Sequence, residues 1–130
     1  MKNGLVTTLT SKNGLPCAAV NSVIEDNDHS LWLYMPCGLV RIVHSELDAW
    51  ARDSKRSVQT TVFDSSDGVR TRALPGGHGR LVTKSPDGEL WFSPPDGVSI
   101  IDPRHLPFNK LPPPVQIEQI IADRKTYWQN

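Results

Sequence analysis

Apolar residues in this chain come in short runs divided by turn-forming residues. Residues 5–10, 20–25, 31–35, 39–43, 57–63, 80–84, 89–93, 98–102, 115–122 and 127–128 have strand composition. Between them lie Ser11-Lys12-Asn13-Gly14, Asp26-Asn27-Asp28-His29-Ser30, Pro36-Cys37-Gly38, Asp64-Ser65-Ser66-Asp67-Gly68 and Asp123-Arg124-Lys125-Thr126. Asp and Asn bond their own backbone there, and Gly takes left-handed geometry. Short strands joined by tight turns pair antiparallel. Val23-Ile24, Leu31-Trp32-Leu33-Tyr34 and Ile42-Val43 are apolar at neighbouring positions. Successive side chains point to opposite faces, so both faces of these strands are covered. An antiparallel sheet stacked between similar sheets is the geometry of a propeller blade. Residues 57–63 alternate more, as an outer edge does. Only Ser45-Glu46-Leu47-Asp48-Ala49-Trp50-Ala51-Arg52 breaks the pattern. Ser45 and Asp48 are spaced like a capping box, and Leu47, Trp50 and Ala51 share a helical face. The spacing predicts a short helix packed on the sheet.

The pattern repeats. Asp26 to Ile42 recurs as Ser85 to Ile101 at a constant offset of 59 residues (Trp32 to Trp91, Gly38 to Gly97, Ile42 to Ile101). Fixed-offset self-similarity is the mark of a repeat architecture. The expected fold is therefore all-β: two antiparallel four-stranded blade units, completed by further blades or by another chain, with one inserted helix. Trp32 and Trp91 are expected in the core between blades, and Gly38 and Gly97 in equivalent turns.

Charge and composition narrow the function. Lys+Arg and Asp+Glu balance at 14 each, which gives no electrostatic case for nucleic acid or an acidic membrane. No apolar run is long enough to span a bilayer, and residues 1–8 lack the apolar stretch of a signal peptide. Eleven prolines, several in Leu111-Pro112-Pro113-Pro114, argue against long helices.

Asn13-Gly14-Leu15-Pro16, Val20-x-x-Val23-Ile24-Glu25-Asp26, Leu31-Trp32 and Gly38-Leu39-x-Arg41 together resemble the two-component regulator propeller repeat. Pro86-Asp87-Gly88-x-Leu90-Trp91 with Asp96-Gly97-Val98 is similar, without the Gly-Leu-Pro opening. Pro113-Pro114-Val115-Gln116-Ile117 resembles the start of the immunoglobulin-like domain found after such propellers. The resemblance implies the extracytoplasmic sensor of a bacterial hybrid histidine kinase, placed in the periplasm or outside the cell. It implies a propeller that binds a small or glycan-type ligand. The chain then divides into an outer strand of a preceding blade (1–12), a first blade (13–66), a second blade (67–111) and a connector with the first strands of the next domain (112–130).

Candidate chemistry is sparse. His29, His44, His78 and His105 do not fall at metal-ligand spacing, and no Ser-His-Asp order or acid/base pair suggests catalysis. No metal or cofactor is expected, and the chain is read as non-enzymatic. Asp26, Asp28, Asp87 and Asp96 are read as structural turn residues, since neither turn has a full calcium ligand set. Gly76-Gly77-His78-Gly79 is followed by Arg80 and lacks the Gly-Lys-Ser/Thr of a phosphate loop. It is expected on one rim with Leu15-Pro16-Cys17, Met35-Pro36-Cys37 and Pro94-Pro95-Asp96. Gly76, Gly77, His78, Arg80 and Asp96 are thus the ligand-binding candidates. If Ile24 lies opposite Trp32, Cys17 and Cys37 come to the same end of one hairpin. A disulfide suited to an oxidising compartment and two small buried hydrophobes both remain open. Other blades, or copies of the chain joined edge to edge, are the expected partners. Residues 5–10 look like an outer strand without inner strands, and the second blade lacks an obvious outer strand.

Overall fold

The computed structural model of the chain describes residue 4 and residues 6–70, 82–94, 97–106 and 119–129. Among them, four strands form one antiparallel sheet in the order β1-β2-β3-β4: β1 (Ser22–Glu25), β2 (Leu31–Met35), β3 (Gly38–Ile42) and β4 (Thr61–Phe63). A helix, α1 (His44–Arg52), is inserted between β3 and β4. A second, three-stranded sheet has the order β5-β6-β7, from β5 (Val82–Lys84), β6 (Leu90–Phe92) and β7 (Ser99–Ile101). β8 (Gln119–Ala122) and β9 (Lys125–Gln129) make a separate antiparallel hairpin. The all-β expectation with one helix is met.

Register follows the apolar pattern. Ile24 lies opposite Trp32, and Trp32 opposite Arg41. Because side chains alternate, β2 divides its residues between two cores. Trp32 and Tyr34 join Leu39, Phe63, Val69, Leu90 and Phe92 between the two sheets. Leu33 and Met35 face the other way, with Leu15, Val40, Ile42 and Val58. Leu9, Leu47, Trp50 and the two cysteines close that second core. The first sheet is therefore covered on both faces, as its doubly apolar strands require.

Facing is the same in both copies of the repeat. Trp32 of β2 points toward the second sheet. Its counterpart Trp91 points away from the first sheet, toward the position a further sheet would take. Leu90 and Phe92, the counterparts of Leu31 and Leu33, point back toward the first sheet. The two sheets thus stack in the same sense, one behind the other.

A second repeated unit lies outside the inner strands. Thr10 caps a 3₁₀ turn over Ser11–Asn13 with a capping box, and Gly14 ends it in left-handed geometry at φ 103°. Asp64 caps Ser65–Asp67 in the same way, and Gly68 ends that turn at φ 84°. The next amide returns to the cap each time: Leu15 N–H donates to Thr10 O at 3.5 Å, and Val69 N–H to Asp64 O at 3.0 Å. Leu15 and Val69 are both buried.

Five expectations need correction. Residues 6–10 form no strand, because no sheet among the described residues lies beside them to complete a ladder; Thr10 is extended and Leu9 packs into the second core. The outer strand is confined to Thr61–Phe63, because Val58 donates its N–H to Asn13 O at 2.7 Å instead of to β3. Ser45 does not cap the helix; Val43 does, with no side-chain bond, and the first turn is held by His44 and Asp48 at 3.2 Å. Trp91 is not core: it is 39% exposed, because no sheet covers its face among the described residues. Gly38 and Gly97 are not equivalent in conformation. Gly38 has φ 144° and a Cβ there would lie 2.4 Å from Phe63 O, whereas nothing lies within 4 Å of a Cβ on Gly97.

Candidate functional site

The rim residues singled out for ligand binding, Gly76, Gly77, His78, Arg80 and Asp96, lie outside the described residues. What the structure places at that end of the sheets is the β2–β3 turn, the Pro94 and Gly97 flanks of the β6–β7 connection, and a disulfide. Cys17 and Cys37 are bonded, with Cα atoms 6.3 Å apart. The register that puts Ile24 opposite Trp32 carries both cysteines to this end. The bond ties the segment entering β1 to the β2–β3 turn, so the rim is covalently fixed on the first sheet.

A cleft of about 570 Å³ runs from this rim along β7. Leu39, Phe63, Val69 and Phe92 supply apolar walls, while Asp67, Ser99, Asp102 and His105 line its polar side. Asp102 is the most constrained charge. Arg104 donates to both of its oxygens, from Nε at 3.0 Å and Nη2 at 3.1 Å, and its backbone N–H adds a third bond. His105 Nδ1 lies 2.9 Å from the carboxylate. The Arg104 side chain first, then His105 and the Arg104 amide, hold the Asp102 carboxyl well below the usual carboxylate range. A carboxylate so engaged is a fixed acceptor, not a proton shuttle at neutral pH.

The acidic turn before β2 is structural, as its sequence indicated. Asp26 is 2% exposed. It accepts from the backbone N–H groups of Asp28 and Ser30, both at 2.9 Å, and from Trp32 Nε1 at 2.8 Å. Arg41 lies over the Trp32 ring at 5.7 Å, with its Nε 3.9 Å from Asp26. All of these bonds orient Trp32 in the core between sheets. Nothing in the spacing of Asp26 revealed its link to the indole, which depends on the tilt of one ring.

A smaller recess beside α1 gathers Glu25, His29, His44, Asp48 and Trp50. His29 contacts Glu25, and His44 contacts Asp48. Among the described residues no three His, Cys, Asp or Glu side chains converge as metal ligands would. No helix of the described residues is long and apolar enough to cross a membrane.

No protein-family model and no curated protein matches the chain.

Proposed function

We propose that this chain is a non-catalytic sensing segment built from propeller-type blades, part of the extracytoplasmic receptor of a bacterial two-component system. The observation that carries this reading is the stacking of the two sheets in one sense: Trp32 faces forward onto Leu90 and Phe92, and Trp91 faces forward in turn. Repeated sheets that each present the same side to the next are blades of a larger array. The disulfide suits an oxidising compartment outside the cytoplasm. The β8–β9 hairpin supplies the first strands of an immunoglobulin-like domain.

A small or glycan-type ligand is read at the rim fixed by the Cys17–Cys37 bond, across the β2–β3 turn and the Pro94 and Gly97 flanks. Titrating isotopically labelled protein with a panel of neutral and acidic oligosaccharides tests this. Saturable amide shifts at Cys37, Gly38 and Gly97, with the sugar recovered intact, are the expected result. Cleavage of the sugar, or shifts confined to the α1 recess, overturns it. A second reading, an interaction module that joins copies of itself, is favoured by one specific observation: β7 has no neighbour on its outer edge among the described residues.

A further inference from the structure

We infer that Val6–Leu9 of one copy of this chain adds as an outer strand to the open edge of β7 in a second copy, joining copies head to tail. The inference rests on the reading of the sheets as repeats, and it names the partner that reading leaves open.

The strand is identified by the capped turn at its C-terminal end. The capped turn Asp64–Gly68 and the buried Val69 lead from β4 toward the second sheet. The capped turn Thr10–Gly14 and the buried Leu15 repeat that unit at an offset of 54 residues (Thr10 to Asp64, Gly14 to Gly68). Thr7-Thr8-Leu9 therefore occupies the place of Thr61-Val62-Phe63. The packing agrees. Phe63 sits in the core between the sheets, and Leu9 sits in the equivalent core on the near face of the first sheet. β4, however, pairs with β3 of the sheet before it. Thr7–Leu9 has the same position and turn but, among the described residues, no preceding sheet to join.

The receiving edge is identified by comparison with the complete sheet. β7 is the counterpart of β3, and β3 carries β4 on its outer side. In the first sheet the space beside β3 is filled by the segment from Val58 to Phe63, whose Val58 is 3% exposed. In the second sheet the same space is the cleft of about 570 Å³ along β7. An open ladder edge beside a trough with an apolar wall of Leu39, Phe63, Val69 and Phe92 is the form that takes an added strand.

The repeat also fixes the register. Leu39, Val40 and Arg41 lie opposite Phe63, Val62 and Thr61. Carried across the repeat, Val98, Ser99 and Ile100 lie opposite Leu9, Thr8 and Thr7. The contact continues the interface between the two sheets of one chain. The forward face of the second sheet, with Trp91 at 39% and Ile100 at 53% exposure, comes against the near side of the next copy's first sheet, where α1, Leu9 and Leu15 already cover the centre and only the margin is open to contact. There Val23 at 54% and Val62 at 38% flank the buried centre. A formal net charge of zero opposes no such association. The contact is heterologous, so it closes into a ring or extends as a filament.

Two cysteine pairs in the full chain test this: Thr8→Cys with Ser99→Cys, and, as the reference for the pairing it copies, Val40→Cys with Val62→Cys. Non-reducing peptide mapping of mixed heavy- and light-isotope protein reads which chains are linked, and light scattering across a concentration series reads mass. We expect the 8–99 link between chains, the 40–62 link within a chain, and mass rising above the monomer with concentration. Thr8→Pro, at a position with no ladder bond in the single chain, should weaken association about tenfold or more while leaving the melting temperature of the dilute monomer unchanged. A monomer at every concentration, an 8–99 link inside one chain, or association indifferent to Thr8→Pro overturns the inference. If the 40–62 link forms and the 8–99 link does not, the repeat reading stands without the partner. If neither forms, the repeat reading falls with it.

Discussion

The two sheets share a pattern and differ in completeness. The first has four strands, a disulfide at its rim, a helix on its near face and the second sheet on its forward face. The second has three strands among the described residues and is covered on one face only. Equivalent residues therefore stand in unlike surroundings: Trp32 is fully buried and Trp91 is 39% exposed. The difference teaches that a repeat sets the direction a side chain faces, while burial depends on what stands in front of it.

That comparison can be broken at several points. The largest expected effect is Trp32→Ala, which empties the core between sheets and leaves Asp26 without its indole partner. A loss of about 3–5 kcal/mol is expected in denaturant unfolding. Trp91→Ala should cost less than about 1 kcal/mol, and equal losses would show that the second sheet is covered too. Next, replacing Cys17 and Cys37 by Ser removes a link spanning 20 residues of sequence. About 3 kcal/mol should be lost, and amide exchange should rise at Cys37 and Gly38 before it rises in β5–β7. Uniform loosening of both sheets would contradict the placement of the bond in the first sheet alone.

Smaller effects sharpen the same contrast. Gly38→Ala forces a Cβ onto Phe63 O and should cost about 2 kcal/mol. Gly97→Ala meets nothing and should stay within about 0.5 kcal/mol. The smallest effect belongs to Asp102, whose folded pKa is depressed by Arg104 and His105. Its contribution is present above the unfolded value of about 3.9 and is lost as pH falls through the lower folded value. The Asp102 carboxyl carbon should therefore titrate below that of an ordinary Asp. A midpoint at or above about 3.9 would show that the clamp after β7 is not formed.

Much of the first sheet was legible because its signals are local. Asp-Asn turns, an apolar run at Leu31–Met35 and the Pro36-Cys37-Gly38 turn each fix a short stretch, and the observed register of Ile24 and Trp32 follows. The helix was legible from Leu47 and Trp50, but its start was not. His44 and Asp48 form a pair one turn apart, a cue equal in strength to the Ser45–Asp48 spacing. The turn repeat of Thr10–Leu15 and Asp64–Val69 was present as Ser-x-Asn-Gly-Leu and Ser-x-Asp-Gly-Val. It was hidden because its offset of 54 differs from the 59 of the inner strands, the connection to β5 being longer than that to β1. The exposure of Trp91 was not legible at all. A tryptophan in a repeat position carries no mark of whether its neighbour is there. The rim candidates Gly76 to Arg80 rest on sequence alone.

The central claim is that β3 and β7 are equivalent strands, one with an outer partner and one, among the described residues, without. Residue-resolved amide exchange, at a dilution where the chain is monomeric, tests it most directly. The claim predicts protected amides throughout Leu39–Arg41, and alternate amides in Val98–Ile100 that exchange as freely as unpaired edge groups do. Uniform protection along β7 at that dilution would mean its outer edge is already paired within one chain, and would contradict it.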